Sequence, residues 1–259
     1  YTLFAFAPLA HTAWLSLFEW DGLTVGTFVG LDNYRDLLDD QAIRSAFLLG
    51  AERVIAIIAF TESTVASLGV APDRIRRLSP GVDPTRFASS CSPSDAGVEP
   101  APQVLLSVSR LHDLYKGQDS VIRALPFLPA NVKFLIAGDG EDRGKLEAIA
   151  AKAGVAARVI FAGHIDHKEL PSLYQLSDIF VRPSLVEGMG SAFIEAFAAG
   201  LPVVATPVGG IPDFLSDPDR SPDTEPTGLF CNVRDPESVA RAVKKYMEDP
   251  VLTARIVKN

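Results

Sequence analysis

The stretch Arg182-Pro-Ser-Leu-Val-Glu187-Gly-Met-Gly-Ser-Ala-Phe-Ile-Glu195-Ala-Phe-Ala-Ala-Gly200-Leu-Pro-Val-Val-Ala-Thr206 decides how this chain is read. The apolar run 179–181 before it is a short strand, and Pro183 and Ser184 end that strand. Gly188 and Gly190 then permit a tight backbone path. Ser191 is placed to cap a helix carrying Phe193, Ile194, Ala196, Phe197 and Ala198, which Gly200 stops. Residues 203–205 form the next strand. Two glutamates therefore flank one helix N-terminus, Glu187 in the loop and Glu195 about one turn along the helix.

The same pattern extends on both sides. Residues 104–109, 132–137, 159–162, 179–181 and 203–205 are near-continuous apolar runs, which suit strands covered on both faces. Helical stretches separate them at 118–127, 141–153 and 168–176, and Gly154 stops the second. Strict alternation of strand and helix predicts a parallel sheet with right-handed crossovers, so the fold class is α/β, a Rossmann-like doubly wound sheet. A last helix follows: Asp235 caps it, Pro236 fits its first turn, and Val239, Ala242, Val243, Tyr246 and Met247 repeat at helical spacing.

Upstream the character differs. Tyr1 to Phe18 is uncharged and mostly apolar, close to the about 20 residues that cross a bilayer. An apolar N-terminal helical segment is expected there, read as a truncated span or membrane-surface helix ahead of a buried soluble helix. Residues 54–58 and 75–78 are short strands, a helix opens at Thr61, and 80–87 turns out of the second strand. Residues 88–103, rich in Ser, Pro and Ala, read as a linker. Position 1 is Tyr rather than Met, which suggests a chain that begins inside a longer one or has been processed.

Composition narrows the function. The net charge of -8 in 259 residues argues against nucleic acid as a partner, since phosphate neutralisation needs clustered Lys and Arg. The only cysteines are Cys91 and Cys231, and the chain has no CxxC and no Asn-x-Ser/Thr sequon. A reducing, cytoplasmic location fits that pattern.

In open α/β sheets ligands bind outside the carboxyl ends of the strands. Arg110 directly follows the first strand of the regular region, and Lys116 and Gly117 begin its helix. Two cations beside a helix N-terminus suit a diphosphate, with two solvated surface charges as the competing reading. Ala137-Gly138-Asp-Gly-Glu-Asp-Arg-Gly144 is a tight strand-to-helix turn with helix-capping acids at Glu141 and Asp142. Its glycine spacing is one residue off the dinucleotide fingerprint, so NAD is disfavoured. Glu187 could accept from sugar hydroxyls, the amides of Met189, Gly190, Ser191 and Ala192 could face a phosphate, and Glu195 could accept from a ribose diol. Apolar neighbours on both sides of Glu195 mean that its carboxylate needs a partner. His164 and His167 form H-x-x-H without further ligands, so a metal is not expected. Asp217-Pro-Asp219 lies in the polar insert 216–226, read as a solvated loop.

Several motifs in order carry a resemblance: Val108-Ser-Arg-Leu111, Lys116-Gly117, Ala137-Gly-Asp-Gly140, Val159-Ile-Phe-Ala-Gly163, Asp178, Pro183-Ser184, Glu187-Gly-Met-Gly190, Glu195-Ala196, Gly200-Leu-Pro-Val-Val204 and Gly209-Gly-Ile-Pro212. From about Gln103 onward the chain resembles the C-terminal, donor-binding half of family 4 retaining glycosyltransferases, one half of a GT-B fold. The resemblance implies that Arg110 and Lys116 hold the diphosphate of a nucleotide-sugar donor and stabilise the leaving group. It implies that Glu187 contacts the donor sugar, that Gly138 and the amides of Gly188, Met189 and Gly190 approach the ligand, and that Glu195 binds the ribose. His164 and Ile165 would line the base pocket. It implies transfer to a sugar or lipid acceptor without a required metal or other cofactor.

Pro8 to Gly22 and Phe28 to Leu38 resemble the first span and external loop of sugar ABC-transporter permeases. Residues 53–83 loosely resemble the end of the acceptor half. The expected organisation is a permease-like segment at 1–50, a remnant of the acceptor half with its linker at 51–102, and a donor-binding domain at 103–259. Such a chain reads as a fusion, a fragment or a composite reading frame, at the inner face of the membrane if its N-terminus binds lipid. Two alternatives stay open: a non-catalytic fragment carrying a permease segment, and another Rossmann-type domain preferring NAD or an adenine nucleotide.

Overall fold

The structure, a computed structural model, describes residues 18–20, 25–28, 54–56, 63, 66, 75–77, 81–87, 103–112 and 114–258. The chain divides into two compact units, residues 1–54 with 72–76, and residues 55–71 with 77–259. In the first, strands β1 (Phe18–Trp20) and β2 (Val25–Phe28) pair antiparallel, with Phe18 opposite Phe28. Phe18 is thus in a strand rather than at the end of a helix; residues 1–17 of the expected apolar segment lie outside the described residues. Two further short strands, β3 (Val54–Ala56) and β4 (Ile75–Arg77), fall within the stretches 54–58 and 75–78 expected to be strands. Ser63 and Ala66 are helical, in keeping with a helix opened by Thr61.

The second unit carries the regular sheet. Its strands are β5 (Val104–Val108), β6 (Lys133–Ala137), β7 (Val159–Gly163), β8 (Ile179–Arg182), β9 (Val203–Ala205) and β10 (Leu229–Phe230). They are arranged β10-β9-β8-β5-β6-β7, and every pairing is parallel. The chain runs outward from β5 through β6 to β7, then returns to lay β8 on the other side of β5. That reversal is the topological switch point, and its crevice opens at the carboxyl ends of β5 and β8.

Alternation along the strands feeds two cores. Leu105, Ile136, Val181 and Val204 point to one face, where helices α1 (Gln118–Ala124), α2 (Arg143–Lys152), α5 (Pro236–Glu248) and α6 (Pro250–Lys258) contribute Val121, Ile122, Leu146, Val239, Val243 and Ile256. Leu106, Phe180, Val203 and Ala205 point to the other, against Tyr174 of α3 (Leu170–Gln175) and Phe193 and Ala196 of α4 (Ser191–Ala198). An aromatic chain runs through this second core. Phe87, Tyr174, Phe180 and Phe193 follow one another with ring centroids 5.4 to 5.9 Å apart, and Phe87 brings the segment before the linker against the sheet. Such pairs add about 0.5–1.5 kcal/mol each beyond burial.

Local chemistry corrects several expectations. Asp235 does cap α5, accepting from the Ser238 amide at 2.9 Å. Ser191 does not cap α4: Gly190, at φ 68°, holds the N-cap position, and Ser191 is the first helical residue. Asp142 precedes α2 without capping it. The helix expected over 118–127 is α-helical only to Ala124, because Pro126 narrows the rest to a 3-10 turn, Leu125–Phe127. Within the insert expected to be solvated, Asp217 is 4% exposed and accepts from the Asp219 and Phe230 amides, so it organises its loop from inside. Asp219 remains outside and pairs with Lys245 at 2.6 Å. Strand β10 and helix α6 were not anticipated. Among the described residues no helix is long and apolar enough to cross a membrane.

Candidate functional site

The loops after β5 and β8 meet at the switch point, joined largely by backbone. The Leu185 amide donates to the Tyr115 carbonyl at 2.7 Å. Gly117 adopts φ 76°, and a Cβ there would lie 2.0 Å from the Pro183 carbonyl oxygen, so only glycine lets the start of α1 rest on the end of β8. This approach delivers Lys116 to Glu187, Nζ to Oε2 at 2.8 Å. From the other side the Glu187 main chain is gripped by the turn after β9. The Gly210 amide donates to the carbonyls of Glu187, at 3.3 Å, and of Gly188, at 3.1 Å.

Glu187 is therefore an enclosed anion among cations and not a loop carboxylate in water. Its side chain is 7% exposed. Besides Lys116, the guanidinium of Arg182 donates to it, and the Ser184 hydroxyl lies 3.3 Å from the same oxygen. Burial would push the Glu187 carboxyl up, but Arg182 and Lys116 overrule it and hold the group below the usual carboxylate range. Burial and the neighbouring Arg182 lower the Lys116 ammonium, which Glu187 opposes. Arg182 was not singled out in the sequence. The signal was there, a cation closing an apolar strand, where burial demands a partner within reach.

Asp142 fixes the opposite wall. It is 1% exposed, and its carboxylate accepts the Leu114 amide at 2.7 Å and the Lys145 ammonium at 2.6 Å. Its own amide donates to the Leu111 carbonyl. Asp142 thus clamps the loop that carries Arg110 and Lys116, including Leu114 in a left-handed conformation, φ 48°. Burial would raise its pKa, yet Lys145 and the Leu114 amide hold it low. The sign for stability follows: groups with depressed pKa values lose their contribution as pH falls below the unfolded value of about 4. Denaturation at pH 7 and pH 3 should show a loss of stability on acidification, and Asp142→Asn should make that loss smaller.

Glu195 has the partner that its apolar setting demands. Tyr174 donates to its Oε2 at 2.8 Å, and His167 Nε2 lies 3.6 Å from Oε1. Burial and the Glu195 charge push the Tyr174 hydroxyl pKa up, so it stays a donor. Arg86, beside Phe87, reaches the His167 carbonyl at 3.2 Å.

The other anticipated residues are distributed as follows. Arg110 is exposed at the end of β5, with no ion pair or hydrogen bond to its side chain among the described residues. Gly138 donates to the Gly163 carbonyl at 2.8 Å and passes close to Ser109. Gly188 and Ser191 are exposed, and Met189 and Gly190 are half-buried before α4. His164 is exposed, and Ile165 packs on the aromatic core. Among the described residues no group of three or more His, Cys, Asp and Glu could hold a metal ion.

A parallel doubly wound sheet with a charged cluster at its switch point defines a Rossmann-like domain of the kind found in GT-B glycosyltransferases. Residues 93–259 match the family described as glycosyl transferases group 1, and the chain belongs to that family. Over 234 residues it is 30% identical to the glycosyltransferase MJ1607 of Methanocaldococcus jannaschii, covering 85% of this chain and 58% of that one. It is 34% identical over 218 residues to the GDP-mannose-dependent alpha-(1-6)-phosphatidylinositol monomannoside mannosyltransferase of Mycolicibacterium smegmatis, covering 77% of this chain and 54% of that one. The chain thus spans little more than half the length of these relatives. Among solved structures it is similar to Anabaena Alr3699/HepE in complex with UDP and glucose, with a TM-score of 0.69 at 25% identity over 85% of this chain and 61% of that one.

Proposed function

We propose that residues 103–259 form the donor-binding domain of a retaining glycosyltransferase that takes its sugar from a nucleoside diphosphate sugar. The observation that carries this reading is the convergence of Lys116 and Arg182 on Glu187 at the switch point, beside the glycine-lined start of α4. Support also comes from the names of two similar proteins, one GDP-mannose-dependent and one solved with UDP and glucose.

In this reading Lys116 and the exposed Arg110 take the diphosphate, and the amides of Gly188, Met189 and Gly190 add dipoles directed at it. Glu187 accepts from hydroxyls of the sugar, and Glu195, steadied by Tyr174, accepts from the ribose. His164 and Ile165 border the base. The acceptor hydroxyl attacks the anomeric carbon on the face from which the nucleoside diphosphate leaves, and its proton passes to the departing phosphate oxygen. Protein cations, rather than a metal ion, stabilise the charge that develops there. Residues 51–102 contribute the end of the acceptor half, and the acceptor is a sugar or a lipid.

Calorimetry on the full chain tests the assignment. Lys116→Ala should weaken UDP or GDP, whichever the chain binds, by at least about tenfold, a loss of about 1.4 kcal/mol. Equal affinity in the variant would remove Lys116 from the donor site.

A further inference from the structure

Three donors converge on one oxygen of Glu187. Lys116 at 2.8 Å, the Arg182 guanidinium and the Ser184 hydroxyl at 3.3 Å all address Oε2, and no described residue donates to Oε1. The two cations are held very differently. Arg182 is 5% exposed, donates to the Val108 carbonyl at 3.3 Å, and lies 4.9 Å over the Phe193 ring. These contacts leave its planar fork one place to be. Lys116 projects from a loop across the Tyr115 ring at 4.5 Å, on a flexible four-carbon stem.

This asymmetry matters once an anion enters. A diphosphate competes with Glu187 for Lys116, and an enclosed carboxylate stripped of its cation must find another or move out to water. We propose that Arg182 is a positioning residue that retains Glu187 in the site while Lys116 exchanges the carboxylate for the donor diphosphate. The proposal rests on the donor-site reading above and adds a division of labour to it. Lys116 governs affinity for the diphosphate; Arg182, by keeping Oε2 engaged, leaves Oε1 available to the sugar.

The test compares the full chain with Arg182→Met and Arg182→Lys, using calorimetry with UDP and UDP-glucose and with GDP and GDP-mannose. Arg182→Met should hold the nucleoside diphosphate within about threefold of the wild type, which also reports an intact fold, while the ratio of nucleotide-sugar to nucleotide affinity falls at least about tenfold. Arg182→Lys, which keeps the charge without the fork, should recover part of that ratio. Independently of any nucleotide, the Glu187 carboxyl, followed by carbon NMR, should titrate at higher pH in Arg182→Met. An unchanged ratio, an equal loss of both affinities, or an unchanged Glu187 midpoint would overturn the proposal. A wild-type chain that binds neither nucleotide would sink the donor-site reading itself, and a raised Glu187 midpoint in that case would mark Arg182 as a structural partner alone.

Discussion

Glu187→Ala should destabilise the domain by about 3–5 kcal/mol, an unusually large effect for a residue in a loop. The substitution leaves Arg182 buried, with its guanidinium facing Lys116 and no carboxylate between them. Lys116 can turn partly to solvent, whereas Arg182, fixed beneath Val108 and over Phe193, cannot. Glu187→Gln should cost less, because the amide oxygen still accepts from both cations. Urea denaturation of the three proteins checks the order, and a loss below about 1 kcal/mol in Glu187→Ala would mean that the cations find water or other partners.

A second large effect is expected in the first turn of α4. Phe193 is fully buried, stacks edge-on with Phe180 at 5.4 Å, contacts Phe214 at 5.8 Å and supports the Arg182 guanidinium from below. Phe193→Ala should therefore destabilise by about 3–5 kcal/mol through the cavity alone. Freeing Arg182 should also weaken nucleotide-sugar binding in whatever fraction stays folded. Phe193→Leu, which keeps most of the volume, should recover the greater part of the stability. A ligand effect without a stability effect would contradict the role given to this ring.

The sheet was legible because its central strands, β8 and β9 above all, are buried on both faces and so are written as unbroken apolar runs; the edge strand β7 keeps such a run although Ile160 is exposed. Strand β10 escaped because it is only Leu229 and Phe230, too short for any periodicity. Helix α6 buries a single residue, Ile256, so little of its pattern is spent on the core. The caps divide instructively. At Asp235 a side chain does the capping, and the residue type announces it. At α4 the same task falls to the backbone of Gly190, so Ser191 gave a misleading cue.

At the site, the sequence indicated which residues belong near the carboxyl ends of the strands, but it could not specify pairings that depend on strand order. Lys116 and Glu187 are 71 positions apart and meet because β8 returns to lie beside β5. Asp142 illustrates the same limit. Read locally it is a helix cap, but in the fold its carboxylate turns to the Leu114 amide, 28 positions upstream.

Amide NMR of the uniformly 15N-labelled chain, titrated with UDP and with GDP, shows whether the crevice between β5 and β8 binds a nucleoside diphosphate. Saturable shifts are expected for one of the two, concentrated at Lys116, Gly117, Gly163 and the amides from Gly188 to Ala192, and reduced in Lys116→Ala. Shifts confined to other parts of the sheet, or none with either nucleotide at millimolar concentration, would contradict it.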